Sequence, residues 1–436
     1  MRCVGKIRIL LVTRESLRKD RNEGNVLLNL FDGLPVELAH ICCKPELPDN
    51  DICKGRCFRI TDKMVLQKIL RGMPMGTIAK EETPHSDQNP QHESKRFYDF
   101  FRNHNWSLFY LLQALLWRMT GFESPALDTF IDDFKPDIVF APLTPYWYTN
   151  HLQNKAIRRA GVPAVTYLYD DIYSLQQYSF SPFYWLHRFA VRSSIQKNLP
   201  LYSFAYTMTE QQKREYEKLL HIPMRVLRKC APQRQCKRTP HDGIRMIYAG
   251  NIYYGRDKTL AMVADAVRAM QKEGQNVQMH IYTSSPIKRR MRQKLDDGTA
   301  SIVHSAVCMQ ELEKQYEQSD IALHVESFQK KDALVTRLSF STKIVDCLAS
   351  GCAVLAICPE INAGWQYLQD ESAALCISGT GQIEMAVRQL VTDDKCRERY
   401  AIAAQECIKR HHDTCEIKNK LYKELQQAVN NGGATV

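Results

Sequence analysis

A short stretch near residue 345 combines a cation, a carboxylate and a hydroxyl on one side of a predicted helix. Lys343, Asp346 and Ser350 recur at i, i+3 and i+7, so they share one helical face. Ser341 and Thr342 stand before this face as good N-capping residues. Free backbone N–H groups and the helix dipole favour an anion at such a terminus. The stretch therefore predicts an anion-binding site, with the solvated face of an amphipathic helix as the alternative.

Two further basic residues follow a glycine at the end of a predicted strand. Gly250 ends the apolar run 244–249, and Arg256 and Lys258 come after it. Ligands of doubly wound α/β folds bind outside the carboxyl ends of parallel strands. Arginine offers phosphate a two-pronged fork, and lysine offers a point charge. We expect both residues to bind phosphate opposite the helix of Lys343; solvated surface charges are the alternative.

The elements that must position these residues are alternating apolar runs and helical patterns. Alternation of this kind predicts parallel sheets with helices on both faces. The predicted strands are 6–13, 137–141, 164–169, 203–209, 244–249, 277–282, 301–304, 321–325 and 353–357.

The alternation is interrupted once, by a basic stretch without apolar periodicity. Residues 227–243 carry five Lys or Arg residues and two prolines, which is typical of a linker. We therefore predict an α/β protein with two Rossmann-like domains, residues 1–226 and 244–400. The remaining residues, 401–436, are predicted to be helical.

Composition narrows the class of protein. The chain has 436 residues, a formal net charge of +11, 44% hydrophobic residues and 25% charged residues, as in ordinary globular proteins. The charge suits anionic partners such as nucleotide phosphates or an acidic membrane surface. The basic residues are dispersed, and no nucleic-acid-binding motif is present, so we expect no nucleic-acid partner.

The fifteen cysteines are scattered and include no CxxC pair. Free thiols in a reducing compartment are therefore expected, without a metal site. The nearest approach to a cluster is formed by Cys42, Cys43, Cys53 and Cys57.

Two aromatic and basic stretches bear on localisation. Residues 97–122 and 180–197 each combine aromatic side chains with Arg or Lys, which fits either core helices or helices at a membrane interface. The chain opens directly on a strand-like run, and no apolar run approaches the ~20 residues that span a bilayer. We expect a cytoplasmic protein, with peripheral binding to the inner face of the cell membrane as an open alternative.

Several stretches resemble the GT-B glycosyltransferases, most closely the retaining glycosyltransferase family four of bacterial polysaccharide and lipid glycosyltransferases. The first half fits more loosely but in the same order, and together the stretches cover nearly the whole chain. The stretches are KIRILLVTRE, KPDIVFAP, GVPAVTYLYDD, IYAGNIYYGRDKTLAMVADAV, SDIALHVES, FSTKIVDCLASGCAVLA and KNKLYKELQQAV.

The resemblance implies two domains facing across a cleft, with the C-terminal helix crossing back to the N-terminal domain. It also implies transfer of a sugar from a nucleotide-diphosphate sugar to a polysaccharide or lipid-linked acceptor, with retention and without a metal or other cofactor. The leaving diphosphate would be neutralised by a helix N-terminus and basic side chains. The donor-binding residues implied in this way are Gly250, Arg256, Lys258, Ser341, Thr342, Lys343 and Asp346.

The resemblance also suggests catalytic and acceptor-side residues. Asp346 matches the second of two family glutamates, which holds the ribose, whereas Leu338 stands in place of the first. Glu326 is the carboxylate that could replace that first glutamate. Asp170 and Asp171 stand where the family often has a histidine, and either could act on the acceptor hydroxyl or cap a turn. The loop of Gly24 and Asn25 follows the first strand on the acceptor side.

Two other functions remain open on the same architecture. The loss of the first glutamate at Leu338 would suit a non-catalytic scaffold or partner protein. A nucleotide-sugar 2-epimerase would instead need acidic residues and histidines gathered in the cleft.

Overall fold

The computed structural model describes residues 6–20, 22–53, 55–79, 107–231 and 241–432. The first sheet runs in the order β4-β3-β2-β1-β5-β6-β7-β8, and its strands pair in parallel except at the β3–β4 edge. Its strands are β1 Ile7–Val12, β2 Val36–Cys42, β3 Cys57–Arg59, β4 Thr77–Ile78, β5 Ile138–Phe140, β6 Ala164–Leu168, β7 Tyr202–Thr207 and β8 Met224–Val226.

The second sheet is separate and wholly parallel, in the order β11-β10-β9-β12-β13-β14. Strand order reverses between β1 and β5 in the first sheet and between β9 and β12 in the second. Ligands of such folds bind where the order reverses. The strands are β9 Ile244–Ala249, β10 Val277–Thr283, β11 Ser301–Ser305, β12 Ile321–Val325, β13 Ala353–Ile357 and β14 Leu375–Ile377.

Helices cover both sheets. Those of the first half are α1 Asn22–Phe31, α2 Asp62–Arg71, α3 Ser107–Met119, α4 Pro125–Phe134, α5 Trp147–Ala160, α6 Pro182–Asn198 and α7 Glu210–Leu220. Those of the second half are α8 Arg256–Lys272, α9 Arg289–Leu295, α10 Met309–Glu317, α11 Lys330–Thr336, α12 Thr342–Ala349, α13 Ala363–Asp370, α14 Ile383–Thr392, α15 Asp394–His411 and α16 Thr414–Gly432. None of these described helices is both long and apolar enough to cross a bilayer.

Helix α12 and strand β13 form as their sequences predict. Ser341 occupies the N-cap position of α12 in an extended conformation, and Ile344 and Leu348 are buried on the face away from Lys343. All five residues of β13 are buried, as expected of a parallel strand covered on both faces.

The chain crosses between the two sheets twice. Ala231, near the end of the first half, forms an isolated bridge with Asp413, just before α16. Helix α16 then packs on the first half, where Lys420 Nζ donates to the Val226 carbonyl at 2.9 Å. The predicted fold class, with two Rossmann-like domains and a returning C-terminal helix, is confirmed. The domain boundaries stay predictions, since much of the predicted linker, residues 232–240, lies outside the described residues.

Candidate functional site

The side chain of Lys343, on α12, occupies the space beside Gly250, the glycine that follows β9. Gly250 has a φ of +144°, and a Cβ at this position would overlap the side chain of Lys343. Lys343 Nζ donates to Tyr248 Oη at 3.2 Å and to the Asn251 carbonyl at 3.3 Å. Burial, together with the nearby charge of Arg256, lowers the pKa of Lys343 to about 8. The glycine loop and the start of α12, recognised separately in the sequence, therefore lie in contact.

The Arg256 guanidinium forms a bidentate ion pair with the buried carboxylate of Glu326. Its Nε and Nη2 donate to the two oxygens of Glu326 at 3.0 and 2.8 Å, and its Nη1 donates to Asn251 Oδ1 at 2.7 Å. The two side chains are only 11% and 3% exposed. Removing either partner would leave a buried unpaired charge, so the pair fixes the guanidinium beside the Gly250 loop. Glu326 is thus bonded through both oxygens to Arg256.

A buried histidine, His324, lies near the charged groups of Arg256 and Lys343, and sequence reasoning did not identify it. His324 belongs to β12, and its Nε2 has no hydrogen-bond partner among the described residues. Burial and the positive charges of Arg256 and Lys343 lower the pKa of His324 to about 3. The imidazole is therefore neutral at physiological pH. The sequence gives no signal for such a residue, because His324 occupies an ordinary buried position in an apolar strand.

Asp346 is anchored by a residue from the segment between the two sheets. Lys229 Nζ donates to Asp346 Oδ1 at 2.9 Å, and the lysine side chain is 8% exposed. The aspartate side chain is 36% exposed and keeps one oxygen outside this hydrogen bond. The expected ribose-binding residue is thus partly solvent-accessible and oriented by a buried cation.

Asp170 links the two domains across the cleft. It is solvent-accessible, but it lies deep enough that loss of solvation raises the pKa of its carboxyl group, and Asp171 adds to the increase. Ser339 and Arg256, both from the second domain, oppose the shift. The pKa of Tyr254 is raised by burial and by the charge of Asp170. Side chains of both domains therefore act on one carboxyl group.

Asp171 has quite different surroundings. It is buried, and its oxygens accept from Ser174 N at 3.0 Å, Ser174 Oγ at 2.5 Å and Tyr216 Oη at 2.7 Å. Arg337 reaches from the second domain to within 3.7 Å of it and donates to Glu215 at 2.6 Å. These contacts are those of a turn cap, the alternative left open by the sequence, and of a contact between domains.

The other expected donor-side residues differ in their contacts. Ser341 and Thr342 lie half-buried at the start of α12, without a side-chain cap hydrogen bond from Ser341. Lys258 is exposed, and its ammonium forms no ion pair with the described residues. Leu338 is fully buried and packs in the apolar core of the first domain. A glutamate at that position would be desolvated in this structure.

Gly24 and Asn25 were predicted to lie in a loop, but they belong to helix α1, which already begins at Asn22. A Cβ on Gly24 would lie 2.6–2.7 Å from backbone atoms of Arg18 and Ser16, so only glycine fits where α1 packs against the preceding segment. Asn25 is half-buried in the same helix. Sequence reasoning missed the neighbouring Glu23, whose pKa is raised to about 8 by burial and by the charge of Glu15. A single glutamate in a first helical turn carries no signal of such desolvation.

Solved structures with the same fold cover nearly the whole chain. The chain is similar to sucrose-phosphate synthase from Thermosynechococcus elongatus, with a TM-score of 0.60 and 12% identity over 97% of this chain and 100% of that chain. It is also similar to HepE from Anabaena in complex with UDP and glucose, with a TM-score of 0.62 and 10% identity over 97% and 100% of the two chains.

A third similar structure is α,α-trehalose 6-phosphate synthase from Burkholderia multivorans, with a TM-score of 0.61 and 10% identity over 99% and 98% of the two chains. No protein-family model matches this sequence, and no curated protein matches it either. At these identities the likeness establishes the fold, which is the GT-B arrangement of two Rossmann-like domains facing across a cleft.

Proposed function

We propose that this protein is a glycosyltransferase that moves a sugar from a nucleotide-diphosphate donor to a saccharide or lipid-linked acceptor. The observation that carries the proposal is the contact between Gly250 and Lys343. It joins a strand-end glycine loop to a helix N-terminus at the strand-order reversal of the second sheet. These are the two elements that bind phosphate in doubly wound folds.

The donor side is suited to a leaving diphosphate. As the glycosidic bond breaks, negative charge grows on the phosphate oxygens, and preorganised donors stabilise it without reorganising. Lys343, Arg256 and the free N–H groups at the start of α12 supply such donors. Glu326 keeps the guanidinium in place without itself facing the sugar. Retention of configuration and independence of a metal belong to the proposal through the family resemblance.

The ribose side of the donor rests on Asp346. Its free oxygen can accept from ribose hydroxyls while Lys229 holds the other oxygen. The solved structure of HepE contains UDP and glucose. That complex makes UDP-sugars the first donors to test for this chain.

On the acceptor side, we assign the general base to Asp170. It is the accessible carboxylate of the pair, whereas Asp171 is buried in its own hydrogen bonds. A raised pKa brings a carboxylate closer to the operating pH, where a general base is most effective. Glu23 is a second acceptor-side carboxyl group with a raised pKa, and it lies near Tyr169.

An exposed apolar face beside Asp170 favours a lipid-linked acceptor at a membrane surface. Helices α3 and α6 pack together, and the ring of Tyr110 on α3 contacts the ring of His187 on α6 in a tilted arrangement, with centroids 5.3 Å apart. Tyr110 also influences the pKa of Tyr254 in the cleft, so this face adjoins the cleft. The exposed side chains are Leu108, Leu112, Leu115, Met119, Phe180, Phe183, Leu186 and Phe189.

We propose that this apolar face binds an anionic bilayer. Exposed Arg118 and Lys197 lie on the same two helices, and apolar burial would add to their attraction for acidic lipid. Sedimentation with anionic liposomes at low salt should bring down the wild-type protein but much less of Phe180→Ser/Leu186→Ser. Wild-type protein that stays in the supernatant would instead leave α3 and α6 as ordinary surface helices.

A thermal-shift panel of UDP-, GDP-, ADP- and CMP-sugars tests the proposed donor class. A ligand at 100 times its Kd adds about 2.7 kcal/mol of apparent stability. We expect a shift with one nucleotide-diphosphate sugar and none with CMP-sugars, which lack the second phosphate. The absence of a shift with every donor would favour the non-catalytic scaffold.

A further inference from the structure

Three side chains with metal-binding atoms meet at the edge of the first sheet, away from the proposed donor site. His40, Cys42 and Cys57 are all buried, and their ligand atoms lie within 4.8 Å of one another. The cause is strand register, because β2 pairs with β3 so that His40 stands opposite Cys57. Cys42 points to the same face as His40, two residues further along β2.

The distances within this cluster are close to those that a shared ion requires. The two sulfur atoms lie 4.0 Å apart, and Cys57 Sγ lies 3.9 Å from His40 Nδ1. Ligand atoms about 2.0–2.3 Å from one tetrahedral ion would lie slightly closer together than this. Small side-chain adjustments would therefore complete the site.

A threonine fixes which histidine nitrogen faces the thiols. The Thr13 hydroxyl donates to the Glu15 carbonyl at 2.6 Å, so it must accept from His40 Nε2, which lies 2.8 Å away. A neutral imidazole carries only one proton, which leaves a lone pair on Nδ1 directed toward Cys57. Metal-binding histidines are oriented in this way, through a hydrogen bond from the far ring nitrogen.

The same register argues against a disulfide between the two cysteines. Neighbouring strands lie about 4.8 Å apart, and two residues along a strand add about 6.6 Å. The Cα atoms of Cys42 and Cys57 are therefore about 8 Å apart, beyond the ~7 Å limit for a disulfide without backbone movement. The thiols are better placed to share a cation than to form a covalent bond.

We propose that His40 Nδ1, Cys42 Sγ and Cys57 Sγ bind a thiophilic d¹⁰ cation, Zn²⁺ or Cu⁺. Thiolate and imidazole ligands suit both ions, whereas Mg²⁺ and Ca²⁺ prefer oxygen. Binding would displace any remaining thiol proton to water, which makes the affinity depend on pH.

The bound cation would fasten a weak edge of the sheet. Strand β3 has three residues and β4 has two, so few backbone hydrogen bonds hold them. A cation shared by β2 and β3 adds a crosslink at this point, and its binding free energy adds to the stability of the fold.

The test uses the full-length chain, stripped with a chelator under reducing conditions and titrated separately with Zn²⁺ and Cu⁺. We expect one equivalent of either cation to bind. Cys42→Ser and Cys57→Ser should each weaken binding at least about tenfold, and Thr13→Val about 10- to 100-fold. Cys43→Ser is the matched control, since Cys43 is buried next to the site but packs in the core on the opposite face of the sheet.

The proposal is overturned if the wild-type chain binds neither cation, or if both serine variants bind as tightly as the wild type. Should the serine variants not fold, a Co²⁺ titration of the wild type decides the matter. Thiolate-to-cobalt charge-transfer bands at one equivalent would support the site, and their absence would overturn it.

Discussion

The two sides of the cleft handle charge in opposite ways. On the donor side, the charged groups are held in fixed positions. Arg256 forms a bidentate ion pair with Glu326, and the side chain of Lys343 packs against Gly250. On the acceptor side, desolvation raises the pKa values of Asp170 and Glu23. The difference follows the proposed chemistry, because the donor side must stabilise charge that appears and the acceptor side must take up a proton.

The acceptor side should show the largest effect. Asp170→Asn removes the proposed general base, so kcat should fall by about 10²- to 10⁴-fold while donor KM stays nearly constant. Steady-state kinetics on the purified variant measures both. Asp171→Asn is the comparison, and it should lower the melting temperature, because its hydrogen bonds are buried. Wild-type turnover in Asp170→Asn would show that a different residue acts as the general base.

Arg256→Ala should come next, with kcat lowered by about 10²- to 10³-fold, as for the loss of one stabiliser of a developing anion. This change leaves Glu326 buried without its partner, so Arg256→Met/Glu326→Gln is needed as well, because it removes both charges and keeps the volume. Lys272→Ala is the surface control, because Lys272 is exposed at the opposite end of the same helix, and it should change turnover little. If Arg256→Met/Glu326→Gln turns over like the wild type, the phosphates lie elsewhere.

Asp346→Asn should act on binding instead of turnover. Its carboxylate would bond the ribose equally in the ground state and the transition state, so donor KM should rise by a factor equivalent to about 1.5–3 kcal/mol of binding free energy, with kcat preserved. Kinetics at varied donor concentration gives the two constants. A fall in kcat at unchanged KM would contradict the ribose assignment.

The smallest effect is a pH dependence set by Lys343. Its pKa of about 8 means that the ammonium is charged below pH 8 and loses its proton above it. Donor kcat/KM should therefore fall as pH rises through 8, by up to about tenfold per pH unit. Lys343→Arg keeps the charge and should shift this fall to higher pH. A flat profile to pH 10 in the wild type would show that Lys343 does not bind the phosphates.

Local sequence patterns were enough to predict the parts of the molecule in which neighbours in sequence act together. The helix α12, its buried face and the strand-end glycine loop all have local signals, and they were predicted. The alternation of strands and helices likewise predicted the fold class. Several strands were not predicted: β3 and β8 are too short to show a period, and β2 contains polar Glu37 and His40.

Pairings between distant residues could not be predicted. Arg256 and Glu326 are 70 residues apart, and Lys229 and Asp346 are 117 apart. Nothing local marks such partners, since each depends on how strands and domains are brought together. The same holds for the neighbours of Asp171 and for His40 beside the cysteines of β2 and β3.

Hydrogen exchange with and without the donor nucleotide tests the central claim most directly. If a diphosphate binds between the Gly250 loop and the start of α12, amides of residues 250–256 and 341–345 should exchange more slowly when UDP or the nucleotide selected by the thermal-shift panel is added. Residues of the first sheet should change far less. Protection confined to other segments, with these two unchanged under saturating nucleotide, would contradict the account.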